Sequence, residues 1–350
     1  MNLSRSLSLS ALLAATLSAS DATVAGAVSA PYPTLTNLSL EWHIEGDGNL
    51  NGVVQVRFRE TGESGWRDGM PLRRVPAGES QTTTPVFRWA NKHSGSLFDL
   101  RPDTAYEIQL KLEDPDGGSA EHTLTARTRA VPRAAADSVI RKASPGNLPA
   151  RAAPGEIILL EAGNYGRLVV QSDGEPGRPI VYRSEDGAAI FDSISLDGRK
   201  HVYLEGLTLE TQPNDANRSG TAVTMRGAVE CVVRRSKIRA VYGIRAAAPP
   251  GCTNCYIADN VIEGTTPWRN EAMGASGENI GEGIQLTGPG NVIVHNRVKG
   301  FRDCISTMED TGVHEQVSID IMNNDIDVGA DDGIEADFCF HNCRVMRNAL

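Results

Sequence analysis

The sequence predicts an all-β chain in two parts, a small antiparallel sandwich over residues 31–130 and a parallel β-helix over residues 154–350. Two observations carry this. Up to about residue 129, short alternating strands are separated by Gly, Asn, Asp and Pro turns. Further on, the forms "RSKI", "DNVI", "HNRV", "NNDI" and "RNAL" recur, each with a small polar residue two places before an aliphatic: Ser236, Asn260, Asn296, Asn324 and Asn348. The steps of 24, 36, 28 and 24 residues suit one solenoid coil plus a variable loop. A second repeat keeps the same order: "YGI" at 242–244, "EGI" at 282–284, "DCI" at 303–305 and "DGI" at 332–334.

Of the 350 residues, 40% are hydrophobic, 35 are glycine and only 5% are aromatic, which describes a globular, turn-rich chain short of bulky core residues. The formal charge of −10 argues against nucleic acid, which needs a basic surface. Residues 1–30 read as an export signal. Arg5 is the n-region charge, residues 7–17 form a short apolar stretch, and small residues between Ala19 and Ala30 offer cleavage points. No segment reaches the roughly 18 apolar residues of a membrane span. A secreted monomer, extracellular or periplasmic, is therefore expected, and the six cysteines are free to pair there.

In the first part, "LSLEWHI" and "VVQVRFRE" flank the turn "GDGNLNG". The run "LFDLRPDTAYEIQLKLEDPDGG" resembles the closing strands of a fibronectin type III domain, and the resemblance puts Tyr106 at that family's tyrosine corner. Such modules space or bind, so no chemistry is assigned there. Residues 131–153, rich in Ala, Pro and Arg, read as a linker and N-terminal cap, with one or two helical turns over 137–142.

The strands that follow "PGEIILLEAGNYG" are only three to five residues long, too close together for ordinary hairpins. With the two repeats, this chain resembles the right-handed parallel β-helix proteins of the pectin-lyase type. Its opening coils are similar to those of the chondroitinase-B and alginate-lyase family. Coils stack at about 4.8 Å, so the four asparagines should form a ladder of mutually bonded amides inside the shaft. Leu350 falls within a rung with no capping element after it, so a longer natural chain is expected.

The second repeat aligns Glu282, Asp303 and Asp332 in one column and Arg245, Gln285, Ser306 and Glu335 in another. Like charges at about 5 Å repel by about 3 kcal/mol at an effective dielectric near 20, which demands a cation, a raised pKa or side chains splayed into water. Turn chemistry at an Asp-Gly corner is the alternative. Glu282, Asp303, Asp332 and Glu335 are the candidate catalytic residues. Asp303, Asp331, Asp332 and Asp337 are candidate oxygen ligands for Ca²⁺.

In hydrolysis, one carboxylic acid protonates the leaving oxygen and a second carboxylate activates water; inverting enzymes hold the two about 6.5–9.5 Å apart. Elimination needs a cation or Arg on the uronate carboxylate and a base for the adjacent proton. The basic groups at hand are Arg297, Lys299, Arg302, His314 and His341. "RDCIS" and "DDGIE" are similar to the Asp-Asp-Cys/Gly-Ile corner of polygalacturonases. That family's other signatures are missing, as is a motif for the chondroitinase-B-like Lys and Arg, so neither family's catalytic roles carry over.

Residues 264–283 make the longest coil, and their loop rises just before Glu282. Trp268 and Arg269 would wall a sugar cleft there, with Arg245 and Arg302 as further substrate-binding candidates. Cys231, Cys255 and Cys343 each lie five residues before a ladder residue. Cys231 and Cys255 fall on adjacent coils, within the roughly 4.4–6.8 Å Cα range of a disulfide; Cys252 competes for either, and Cys339 pairs best with Cys343. Cys304 should point inward. Together these features suggest a carbohydrate-active protein that cleaves an acidic, uronate-containing polysaccharide. The alternative is a non-catalytic, glycan-binding or adhesive surface protein.

Overall fold

The computed structural model describes residues 21–80, 86–246, 250–273, 280–307, 316–337 and 339–350. Among them the fold is all-β: two four-stranded antiparallel sheets and a two-stranded antiparallel pair, Gly78–Glu79 with Arg88–Trp89, then three long parallel sheets. One antiparallel sheet runs Thr23–Ser29, Leu38–Gly46, Lys92–Leu97, Arg73–Val75 in spatial order; the other runs Ser119–Arg127, Ala105–Glu113, Val53–Glu60, Arg67–Asp68. Strict alternation buries Val54, Val56 and Phe58 on one strand and Tyr106, Ile108, Leu110 and Leu112 on its neighbour. The Arg101 amide donates to the Tyr106 hydroxyl at 2.8 Å, the tyrosine-corner geometry expected from the sequence.

Two boundaries differ from expectation. Thr23–Ser29 belongs to the sandwich: its residues pair with Leu38–Gly46 through a bulge, so the proposed leader could not extend to residue 30 without removing a strand. Val139–Ala143 is not helical. It lies parallel to Glu156–Leu160 as the edge strand of the first long sheet, because a β-branched pair completes a ladder there that isolated helical turns could not. One 3₁₀ turn, Pro145–Asn147, follows it.

The parallel sheets hold nine, seven and seven strands (sheets I, II and III), and each coil visits them in that order. Between sheets I and II the chain turns through one left-handed residue: Arg235, Asp259, His295, Asn323 or Arg347, at φ 54–58°. That conformation costs a non-glycine residue roughly 1–2 kcal/mol. The next residue offsets the cost. Asn260 Nδ2 donates to Asn296 Oδ1 at 2.9 Å, Asn296 to Asn324 at 3.0 Å and Asn324 to Asn348 at 2.9 Å, while the Ser236 amide caps the row on Asn260 Oδ1. The expected ladder is therefore present.

Asn296 Nδ2 also bonds the carbonyls of Ile257 and Val294. Asn296→Ala should accordingly cost about 3 kcal/mol in urea unfolding, since it strands several buried partners. Asn348→Ala, at the half-buried end of the row, should cost about 1 kcal/mol.

The "GI" repeat has a packing cause. A Cβ on Gly283 would lie 2.3 Å from the Cys304 carbonyl oxygen and 2.5 Å from Val298 Cγ1, so the coil closes only with glycine there. Ile244, Ile284 and Ile305 stack in the core beside it, and Cys304 is buried with them as expected.

The sandwich lies against the outer face of sheet I rather than hanging on a linker. Leu35 packs with Val232, Tyr256, Val292 and Met322. Asn37 Nδ2 donates to Asp320 at 2.8 Å, and the hydroxyls of Ser39 and Ser318 meet at 2.6 Å. The buried Arg344 pairs with Asp320 and also donates to Ser39 at 3.1 Å and Ser96 at 3.0 Å. Arg129 spans the junction with bonds of 2.6 and 2.7 Å to the carbonyls of Asn254 and Gly290.

Candidate functional site

The expected columns are in register on sheet III. Glu282 pairs with Asp303 across adjacent strands, and Arg245, Gln285, Ser306 and Glu335 follow one another in four successive coils. A single side chain organises the acids. Arg302, one residue before Asp303, lies 3.1 Å from Glu282, 3.3 Å from Asp331 and 3.7 Å from Glu335, and pairs with Asp303 directly. The Ser306 hydroxyl donates to the other Glu282 oxygen at 2.6 Å, and the Asp332 amide donates to Asp303 Oδ1 at 3.1 Å. Gly281, where the long loop rejoins the shaft, accepts from the Arg302 amide at 2.9 Å and so fixes the guanidinium's base.

The repulsion foreseen in the column is thus relieved in two ways at once, by a built-in cation and by protonation. Burial, then the neighbouring Glu282 charge, push Asp303 up to about 7 against the pull of Arg302. Burial raises Glu282 as well, opposed by the Ser306 hydroxyl and Arg302. Asp303 has no solvent exposure and Glu282 little; Asp331 and Asp332 are exposed and Glu335 is half-buried. The column is therefore divided, with two acids inside and the others at the surface.

The sign of the linkage follows. A carboxyl whose pKa is higher in the folded chain favours folding below the unfolded value near 4, and that contribution disappears as pH rises through about 7. Stability should fall by a few kcal/mol at most between pH 4 and 7 on this account, and thermal melting of Asp303→Asn across that range should show a flatter profile.

Oxygens of Asp303, Asp331 and Asp332 come within 4.8 Å of one another, a hard-oxygen set that fits a divalent cation. Arg302 already engages two of the three, so such an ion would compete with it. Asp337 is not of this group; it is exposed and its carbonyl accepts from the Thr307 hydroxyl. Arg245 stacks over Tyr242 at 4.7 Å and donates from Nε to Gln285 at 2.7 Å, which fixes its guanidinium on the outer face.

Trp268 stands 75% exposed, and Arg269 lies 4.0 Å from Glu271. Of the other basic candidates, Arg297 pairs with Asp325 and Lys299 with Glu263 on sheet II, while His341 sits at the sandwich junction beside Glu41. His314 lies outside the described residues.

The disulfides expected among Cys231, Cys252, Cys255, Cys339 and Cys343 are not made: all six cysteines are free thiols. The thiols of Cys252 and Cys255 are hydrogen-bonded neighbours, as are those of Cys339 and Cys343. Cys231 and Cys255 do share a column, but their thiols turn to backbone carbonyls, Cys231 to Arg199 at 3.4 Å and Cys255 to Thr253 at 3.7 Å. Cys343 likewise donates to Gln316 at 3.5 Å.

No family model matches this chain, and no curated protein matches it. Among solved structures it is similar to a family 28 exopolygalacturonase of Yersinia enterocolitica, at 11% identity over 93% of this chain and 73% of that one, with a TM-score of 0.36. It is also similar to an alginate lyase of Paenibacillus sp. FPU-7, at 14% identity over 60% and 99%, TM-score 0.29. A redesigned β-sandwich protein matches at 17% identity over 31% and 92%, TM-score 0.20. With every score below 0.5, the reading of the site rests on its own geometry. The class that the strand registers define is a sandwich-bearing parallel β-helix.

Proposed function

We propose that this protein is exported and cleaves an acidic, uronate-containing polysaccharide by hydrolysis on the outer face of sheet III. The observation that carries the reading is the division of the acidic column. The exposed Asp332 and half-buried Glu335 front a buried Glu282–Asp303 pair that shares one arginine. In this reading Asp332 and Glu335 are the acid and base that meet the glycosidic bond and its water. Asp303, Glu282 and Arg302 are positioning residues that set their place and charge. Arg245, three coils or about 14 Å along the shaft from Glu335, holds a uronate carboxylate of the same chain. The sandwich is read as a fibronectin type III-like module, and the whole as a monomer.

The oxygen triad of Asp303, Asp331 and Asp332 favours a second reading, elimination assisted by a bound Ca²⁺ that neutralises the uronate. One experiment separates them: the full chain incubated with polygalacturonate, alginate and chondroitin sulfate, scoring both new reducing ends and unsaturated products. Hydrolysis gives reducing ends alone, insensitive to EDTA. Asp332→Asn and Glu335→Gln should each lower turnover by about 100-fold or more while glycan affinity changes little. Unsaturated products lost in EDTA would establish the calcium reading, and binding without cleavage would leave an adhesin. Neither binding nor cleavage of any acidic polysaccharide would defeat the proposal.

A further inference from the structure

Where the sandwich meets the solenoid there is a concavity of about 320 Å³ built by both domains. One wall is aromatic. Phe87 and Trp89 lie with ring centres 6.1 Å apart, and Phe340 of the solenoid stacks on Phe87 at 4.2 Å. Trp89 is held in place: its Nε1–H donates to the Pro76 carbonyl at 2.9 Å, and its ring covers Gly78 so closely that a Cβ there would lie 2.6 Å from it. The pocket is also lined by a polar cluster. Glu41 accepts from Lys92 at 2.9 Å and lies 2.8 Å from His341 Nε2, which is itself 3.0 Å from Lys92 Nζ. Burial alone would raise Glu41, but His341 and Lys92 bring it down to about 2, so it stays an acceptor at any working pH.

A tilted pair of aromatic rings beside fixed donors and an ionised acceptor suits a ligand with one apolar face and several hydroxyls at its edge. We infer that this pocket binds one sugar residue of a glycan chain, its C–H face on Trp89 and Phe87 and vicinal hydroxyls toward Glu41 and His341. The two ionised groups neutralise each other, which disfavours a charged occupant. A lone apolar ligand would waste the polar side, whereas a sugar uses both. The pocket is tied to the acidic face through one coil: His341 follows Glu335 by six residues, at most about 20 Å of chain. The sandwich thereby contributes to glycan binding. The inference extends the glycan-acting reading of sheet III but does not require its chemistry.

The test is isothermal titration of the full chain with cellotetraose, tetragalacturonate and tetramannuronate. Cellotetraose, the uncharged chain, should bind most tightly, with affinity falling tenfold or more in Trp89→Ala. Ala90→Trp, which fills the pocket from its exposed rim and removes no contact, should have the same effect. Affinity unchanged in both pocket variants, or no tetrasaccharide bound by the wild type, overturns the inference. Binding that depends on the pocket in a protein that cleaves no polysaccharide upholds the inference and defeats only the hydrolase reading.

Discussion

Replacing Arg302 by methionine should destabilise the protein by about 3–5 kcal/mol at pH 7, because it keeps the buried stem volume but strands Glu282 and Asp303 without their counter-ion. The loss should be pH-dependent. Without the guanidinium both buried carboxyls are pushed further up, so the variant regains stability as pH falls toward 4 and loses it as pH rises. Millimolar calcium should restore part of the deficit in the variant and do little for wild type, since the ion would take the place that Arg302 vacates among Asp303, Asp331 and Asp332. Urea denaturation at pH 4.5 and 7.5, with and without calcium, measures all three effects. Equal stability of variant and wild type at pH 7.5 would show that Arg302 is not what offsets the column's repulsion.

A second large effect is expected at the junction. Arg344→Leu removes the partner of Asp320, a carboxylate with no solvent exposure, and leaves it only the Asn37 amide among its side-chain hydrogen bonds. Breaking such a pair from one side costs about 3–5 kcal/mol. Combining it with Asp320→Asn should recover much of that, because no buried charge then lacks a partner. Differential scanning calorimetry should show both domains melting together in wild type, the single mutant at markedly lower temperature. A sandwich transition unaffected by Arg344→Leu would mean that the seam does not couple the domains.

The acidic face was partly legible. Because side chains on successive coils of a parallel stack repeat in register, aligning "EGI", "DCI" and "DGI" placed Glu282, Asp303 and Glu335 before any coordinates. The same alignment did not assign Arg302 the central role, because it lies outside the repeated motif and its importance comes from reaching across three coils. Nor did spacing decide the cysteines. A shared column brings Cys231 and Cys255 near, but the Cys231 thiol bonds the Arg199 carbonyl and the Cys255 thiol that of Thr253.

What the sequence by itself determined was everything local or periodic: alternating strands with their tyrosine corner, the coil repeat, the asparagine ladder and the glycine or cysteine before each stacked isoleucine. These follow from backbone geometry, which a period of residues records directly. The tertiary structure alone decided what is joined across hundreds of residues. Glu41 meets His341, Asn37 meets Asp320, and Ser39 meets Arg344 with no motif to announce them. The division of the column into buried and exposed acids was settled the same way. Carboxylate charge depends on solvent access and on Arg302, and both arise only when the coils stack.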